Sequence, residues 1–155
     1  MSMQAYRRIL AFIELTPEGE QVARRAAALA QATGARLALA TVVDTTGEET
    51  TLAPVLTPGQ ARAALAATLE HRLALLATRI GAQKAESLAL AGPLGTMIEE
   101  LLQRWQPELV LAAAHQTFGL NRRSQRGPSY DLLLVQLPPP ATFTGRLVRA
   151  LVAAF

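Results

Sequence analysis

Five short stretches of this 155-residue chain are apolar almost throughout: Ile9–Ile13 (ILAFI), Leu37–Val43 (LALATVV), Ser87–Ala91 (SLALA), Glu108–Ala114 (ELVLAAA) and Asp131–Leu137 (DLLLVQL). A strand with one wet face alternates apolar and polar residues. A strand that is apolar on consecutive residues is buried on both faces. Such strands belong to parallel sheets, whose neighbours are joined by crossovers that carry helices onto the two faces.

The segments between the runs supply those helices. Thr16-Pro17 reads as an N-cap followed by proline at the first helical position. Val22, Ala26, Leu29 and Ala30 then form a helical stripe that Gly34 ends as a C-cap. Asp44 to Leu56 is a polar loop with Glu48 and Glu49. Thr57-Pro58-Gly59-Gln60 matches a capping box, and Leu65, Leu69, Leu73, Leu76 and Ile80 follow as one apolar face, stopped by Gly81. Thr96 is expected to cap a third helix with Met97, Ile98, Leu101, Leu102 and Trp105 turned inward, and Pro107 to end it. His71 lies off the apolar stripe of its helix and reads as a solvated residue.

The fourth and fifth runs lack such a connection. From Asn121 to Gly127 there is no apolar side chain, and Gly127-Pro128 leads almost directly into the last strand. The expectation is a single α/β domain over residues 1–137. It is an open five-stranded parallel sheet in three layers, Rossmann-like, with helices on both faces and a shortened link between strands four and five. Residues 138–155 form a proline-rich break, Pro138-Pro139-Pro140, and an amphipathic helical tail.

Composition removes several function classes. There is no cysteine, hence no disulfide, no thiolate metal site and no thiol nucleophile. No apolar run approaches the length of a membrane span, and MSMQAYRRIL lacks a signal-type apolar stretch, so a soluble cytoplasmic protein is expected. The net charge is +3, but the arginines are spread along the chain and only Arg122, Arg123 and Arg126 cluster. Without aromatic interleaving or a recognition-helix pattern, nucleic acid is not an expected partner. A receiver-like phosphorylation domain needs an acidic cluster after strand one, and only Glu14 stands there. A dinucleotide fold needs Gly-x-Gly-x-x-Gly after a strand, and Glu14-Leu15-Thr16-Pro17-Glu18-Gly19 has no such spacing.

Taken in order, the pieces resemble the universal stress protein family. Arg8-Ile9-Leu10-Ala11-Phe12-Ile13-Glu14-Leu15-Thr16-Pro17-Glu18 is similar to that family's first strand and loop, "KILVAVDLSPES". Leu39 to Asp44 resembles "LLHVVD". Gly92, Ile98 and Glu108-Leu109-Val110-Leu111 with His115 resemble "G-x-P-x-x-x-I" followed by "DLIVMGSHG". Pro128 to Val135 resembles "APCDVLVV". The resemblance runs over about residues 6 to 137. It implies a five-stranded parallel sheet with strand one beside strand four, a homodimer, and in some members bound ATP.

The departures from the family fall on the ATP loop. ATP-binding members place glycines where backbone amides approach phosphates, the last of them opening a helix. Ala113 and Gln116 stand at the first two glycine positions. Gly127 is followed by Pro128, which has no amide hydrogen to give. Glu14 replaces the usual aspartate at the end of strand one, and Val42 matches the adenine-side valine. The resemblance therefore implies a vestigial nucleotide pocket around Glu14, Val42, His115, Gln116, Gly119, Arg122, Arg123 and Gly127, with no cofactor and with ATP or AMP disfavoured. The expected function is a non-enzymatic stress-response or regulatory interaction module. The alternative is a nucleotide- or anion-binding regulator with a remodelled pocket between strands one and four. Glu14 and His115 sit at strand ends where a carboxylate and an imidazole can share a proton, but no nucleophile aligns with them.

Two interaction surfaces are expected as well. Strand 131–137 lies at the sheet edge if the resemblance holds, and an apolar edge needs pairing or cover, so self-pairing into a homodimer is expected. In Thr142–Phe155, Phe143, Leu147, Leu151 and Phe155 recur every four residues, Val148 and Val152 widen that face, and Arg146 and Arg149 lie beside it. This tail is expected to dock on a sheet, its own or its partner's. Its rivals are another protein, or an anionic membrane surface, which two arginines on so short a helix disfavour.

Overall fold

The computed structural model describes residues 6–45, 57–115 and 130–137. Within them the chain runs β1 (Arg8–Phe12), α1 (Pro17–Thr33), β2 (Arg36–Asp44), α2 (Pro58–Arg79), β3 (Glu86–Gly92), α3 (Leu94–Trp105), β4 (Leu109–Ala113) and β5 (Asp131–Val135). All strand pairs are parallel, in the order β3-β2-β1-β4-β5. The five apolar runs are thus the five strands, and β1 lies between β2 and β4 as the resemblance implies.

Two cores sit on the two faces, which is why the strands carry apolar residues without alternation. Ile9, Ala11, Leu39 and Leu111 face α1 and α2, which bring Val22, Ala26, Leu73 and Leu76. Leu10, Phe12, Val110 and Ala112 face the other way, toward α3 with Ile98, Leu101 and Leu102. Each fully buried side chain of the leucine, isoleucine or valine kind contributes about 1.5–3 kcal/mol relative to exposure.

The helix ends follow their local chemistry. The Thr16 hydroxyl accepts the Gly19 amide at 3.1 Å with Pro17 in the first turn, and Gly34 closes α1 in the left-handed region at φ 72°. At α2 both halves of the capping box form: the Gln60 amide donates to Thr57 Oγ1 at 3.2 Å, and the Thr57 amide to Gln60 Oε1 at 3.0 Å. His71 is exposed, as its position off the stripe suggests.

One cap differs from expectation. Thr96 does not cap the third helix. α3 already begins at Leu94, Pro93 occupies the cap position without a side-chain bond, and the Met97 amide reaches the Pro93 carbonyl at 3.0 Å. The turn is set by Gly92-Pro93, so Thr96 falls inside the first turn, where it is helical and exposed. The helix ends at Trp105, with Gln106 as a left-handed C-cap at φ 50° directly before Pro107. Trp105 packs against the second core but is only half-buried, and its indole N–H donates to Glu86.

Polar contacts gather the strand beginnings. Glu108 Oε1 accepts the backbone amides of Arg7 at 2.6 Å and Arg8 at 3.2 Å, tying the entry of β4 to that of β1. The Tyr6 hydroxyl donates to Asp131 Oδ2 at 2.6 Å, which holds the phenol proton more tightly than usual. Arg36 and Glu86 pair at 3.0 Å across β2 and β3. The expected tail, Thr142–Phe155, and the acidic loop with Glu48 and Glu49 lie outside the described residues.

Candidate functional site

The strand order fixes where a ligand can approach. After β1 the chain turns toward β2, and β4 is followed in space by β5 on the other side. The connections at the carboxyl ends of β1 and β4 diverge, and open α/β sheets bind ligands in the crevice this creates.

Two side chains meet at that crevice. The Ile13 amide still bonds to the Ala40 carbonyl at 2.7 Å, so Glu14 is the first residue clear of the sheet. On the other lip the Ala114 amide bonds to the Val135 carbonyl at 3.0 Å, and His115 follows. His115 Nε2 stands 3.2 Å from each carboxylate oxygen of Glu14. The residues are 101 positions apart in the chain and adjacent in space. With side chains 48% and 37% exposed, they form a hydrogen bond open to water, and an ion pair whenever the imidazole is protonated. Water screening keeps such a pair to the order of 1 kcal/mol or less.

Glu14 is held in place from behind. A Cβ on Gly19 would stand 1.8 Å from the Glu14 carbonyl oxygen, so the first turn of α1 packs directly on the Glu14 backbone. The sequence shows Gly19 only as a residue that fails to complete a dinucleotide motif; its close approach to another backbone leaves no trace in local pattern. A second contact that sequence reasoning missed is Glu20, which accepts from Arg79 at 2.9 Å and Arg24 at 3.3 Å and so joins α1 to α2. The Arg79 hydrogen bond is the main reason the Glu20 carboxyl is held below its usual value.

Of the residues expected to line a nucleotide pocket, the structure brings Glu14 and His115 into contact. Val42 lies on β2, two positions beyond Ala40, the residue paired with Phe12, and packs half-buried against the α3-side core. Gln116, Gly119, Arg122, Arg123 and Gly127 lie outside the described residues. Ala113, at the first glycine position, is the last residue of β4 and is buried. Two grooves, of about 420 and 530 Å³, lie elsewhere, one between α1 and α2 beside Leu75 and one along the outer edge of β3 beside Trp105; neither is lined by Glu14 or His115. The crevice pair can exchange a proton or accept hydrogen bonds from a ligand. Among the described residues no cluster of three metal-ligating side chains occurs, and no helix is long and apolar enough to cross a membrane.

Known proteins share this fold. Universal stress protein A of Salmonella typhi is 25% identical over 114 residues, which cover 74% of this chain and 79% of that protein. The solved structure of the universal stress protein UspA from Lactobacillus plantarum superposes with a TM-score of 0.57 at 20% identity, covering 86% of this chain and 99% of the other. A universal stress protein crystallised in complex with cAMP gives a TM-score of 0.55 at 18% identity, over 86% and 98% of the two chains. At these identities the structures speak for the fold alone. The universal stress protein family model matches residues 5–128, most of the chain and four of its five strands. The chain belongs to the universal stress protein family.

Proposed function

We propose that this protein is a non-enzymatic stress-response module that acts through protein contacts and has given up ATP. The observation that supports this reading most is the Glu14–His115 contact. It bridges the switch-point crevice and fills its mouth with two side chains in mutual contact. The residues beyond it agree: Ala113 and Gln116 in place of glycines add side chains where backbone amides would need to approach, and Pro128 removes a donor. Catalysis finds no support in the sequence, where no serine, cysteine or second carboxylate aligns with the pair to make a nucleophile site.

The test is a thermal-shift titration of the purified protein with ATP, AMP and cAMP. A ligand that binds only the folded state raises Tm, by about 2.7 kcal/mol of stability at a hundredfold excess over Kd. Millimolar ATP is expected to leave Tm unchanged. Micromolar ATP binding sinks the reading.

A second reading, a regulator that binds a smaller nucleotide or anion in a remodelled crevice, is favoured by the cAMP complex of a protein of the same fold. Stabilisation by AMP or cAMP without ATP, abolished by Glu14→Ala or His115→Ala, would select it.

The module works as a homodimer in this proposal. β5 is the outermost strand, and its far edge has no strand partner among the described residues, while Leu132, Leu133 and Leu134 are half-buried on its two faces. Antiparallel pairing of two such edges about a two-fold closes both. Light scattering at micromolar concentration is expected to give twice the chain mass; a monomer refutes the pairing.

A further inference from the structure

The sheet needs two helices on each face, and the described residues supply three. The steps from β1 to β2 and from β2 to β3 run toward one edge, with α1 and α2 on the same face. The step from β3 back to β4 carries α3 on the opposite face. The step from β4 to β5 continues in that second direction, so right-handed crossover places its connection on the α3 face too. Yet α3 packs against β2 and β3, at the far side of that face. Val110 and Ala112 of β4 lie two strands away from β2, point to the α3 side, and are fully buried. Leu132 and Leu134 of β5 continue the same apolar surface. On this face no described helix packs closely on β4 or β5, and Tyr130 is the described residue beyond α3 that is buried with them.

Three stretches lie outside the described residues and between or after strands. Residues 46–56 join β2 to α2 and so lead to the other face. Residues 116–129 lie between the right strands, but apart from Pro128 their only apolar side chains are Phe118 and Leu120, too few for a helix face. Residues 142–155 have a complete one, with Phe143, Leu147, Val148, Leu151, Val152 and Phe155.

We propose that residues 142–155 form the fourth cover of the sheet, a helix docked on β4 and β5 of its own protomer on the α3 side. The chain supplies the geometry. Residues 138–141 can span roughly 13 Å at about 3.3 Å each, enough to lift from the sheet to a layer about 10 Å above it. β5 ends at Val135, and prolines at 138–140 cannot donate to a continued ladder, which lets the chain reverse. Residues 143–155 as a helix extend about 20 Å at about 1.5 Å per residue, comparable to a strand of five or six residues at about 3.3 Å each. The helix then runs back along β5 with its apolar side on Leu134 and Leu132 and with Arg146 and Arg149 toward solvent. In this arrangement the cover that ordinarily sits between strands four and five in sequence has been moved behind strand five.

The absence of native cysteine makes the test direct. Leu134→Cys combined with Leu147→Cys places two thiols on facing surfaces. Leu133→Cys combined with Leu147→Cys is the control, because Leu133 packs into the opposite core. With a short bifunctional thiol reagent, the first pair is expected to form an intrachain link at least tenfold faster than the second, seen as a faster-migrating monomer under denaturing conditions. Equal rates overturn the proposal by showing an undocked tail. A covalent dimer from the first pair overturns it in favour of a tail exchanged between protomers. The unaltered chain gives an independent reading that needs no variant to fold. Amide exchange at residues 147–151 is expected to be slowed at least a hundredfold relative to free peptide, and unprotected amides there refute the docked helix.

Discussion

Replacing Gly19 by alanine tests how the crevice is built, because two effects of opposite sign compete there. Gly19 lies in the first turn of α1 with ordinary helical φ, so alanine is locally the better helix former by about 1 kcal/mol. Against this stands the 1.8 Å approach of its Cβ to the Glu14 carbonyl oxygen, with the Glu14 carbonyl carbon at 2.8 Å. Ordinary contact begins at 3.4 Å, so the two segments must separate by at least 1.6 Å (3.4 minus 1.8). Both are backbone and both are pinned: α1 by the Thr16 hydroxyl on the Gly19 amide, and Ile13 by its bond to Ala40. Overpacking a well-packed site costs about 1–3 kcal/mol and more where backbone must move. The clash therefore outweighs the propensity gain, and Gly19→Ala is expected to lose about 1–3 kcal/mol. At about 2–4 °C per kcal/mol for a domain of this size, Tm should fall by roughly 2–12 °C. Calorimetry and urea unfolding measure this. The displaced Glu14 should also leave His115, so the His115 ring resonance should shift as it does in Glu14→Gln, with exposed His71 as an internal reference. An alanine variant that melts at or above the parent temperature, with the His115 resonance unmoved, would refute the reasoning.

Two further perturbations probe the ends of the sheet and the helix pair. Glu108→Ala leaves the Arg7 and Arg8 amides to water. Charge-assisted bonds of this kind are worth about 1.5–3 kcal/mol when buried and less at this exposed edge, so a loss near 1 kcal/mol is expected, while Glu108→Gln, which keeps an acceptor, should retain most of it. Urea midpoints for the two variants check the ranking. For Glu20, the folded carboxyl lies below its unfolded value, so its contribution is present at neutral pH and is lost as pH falls through the lowered folded value. The stability gap between the parent and Glu20→Gln should therefore be open near pH 7 and closed in acid; a gap that persists at pH 2 contradicts the Arg79 and Arg24 pairing as its cause.

The sequence carried the fold further than it carried the site, for physical reasons visible in single residues. Strands buried on both faces leave continuous apolar runs, and the Thr16-Pro17 and Thr57-to-Gln60 caps are bonds between near neighbours, so local order suffices to find them. Thr96 misled because a good capping residue stood two positions inside a helix whose start is set by the Gly92-Pro93 turn. The Glu14–His115 contact depends on β1 lying beside β4, which only the family resemblance implied. Gly19 and the Arg79–Glu20 pair depend on distances between segments, and no periodicity records those.

The position of β1 at the centre of the sheet has a consequence for how the chain is made. β1, β2 and β3 with their helices complete a unit by Gly92, but the β4 side of β1 then remains an open edge of unpaired amides and carbonyls beside Ile9, Leu10 and Ala11. That edge waits for Ala113 to emerge, 21 residues later (113 minus 92), which at about 5–20 residues per second is roughly 1–4 s of translation. During that interval the β4 side of β1 is an unpaired apolar strand edge that β4 covers in the finished sheet.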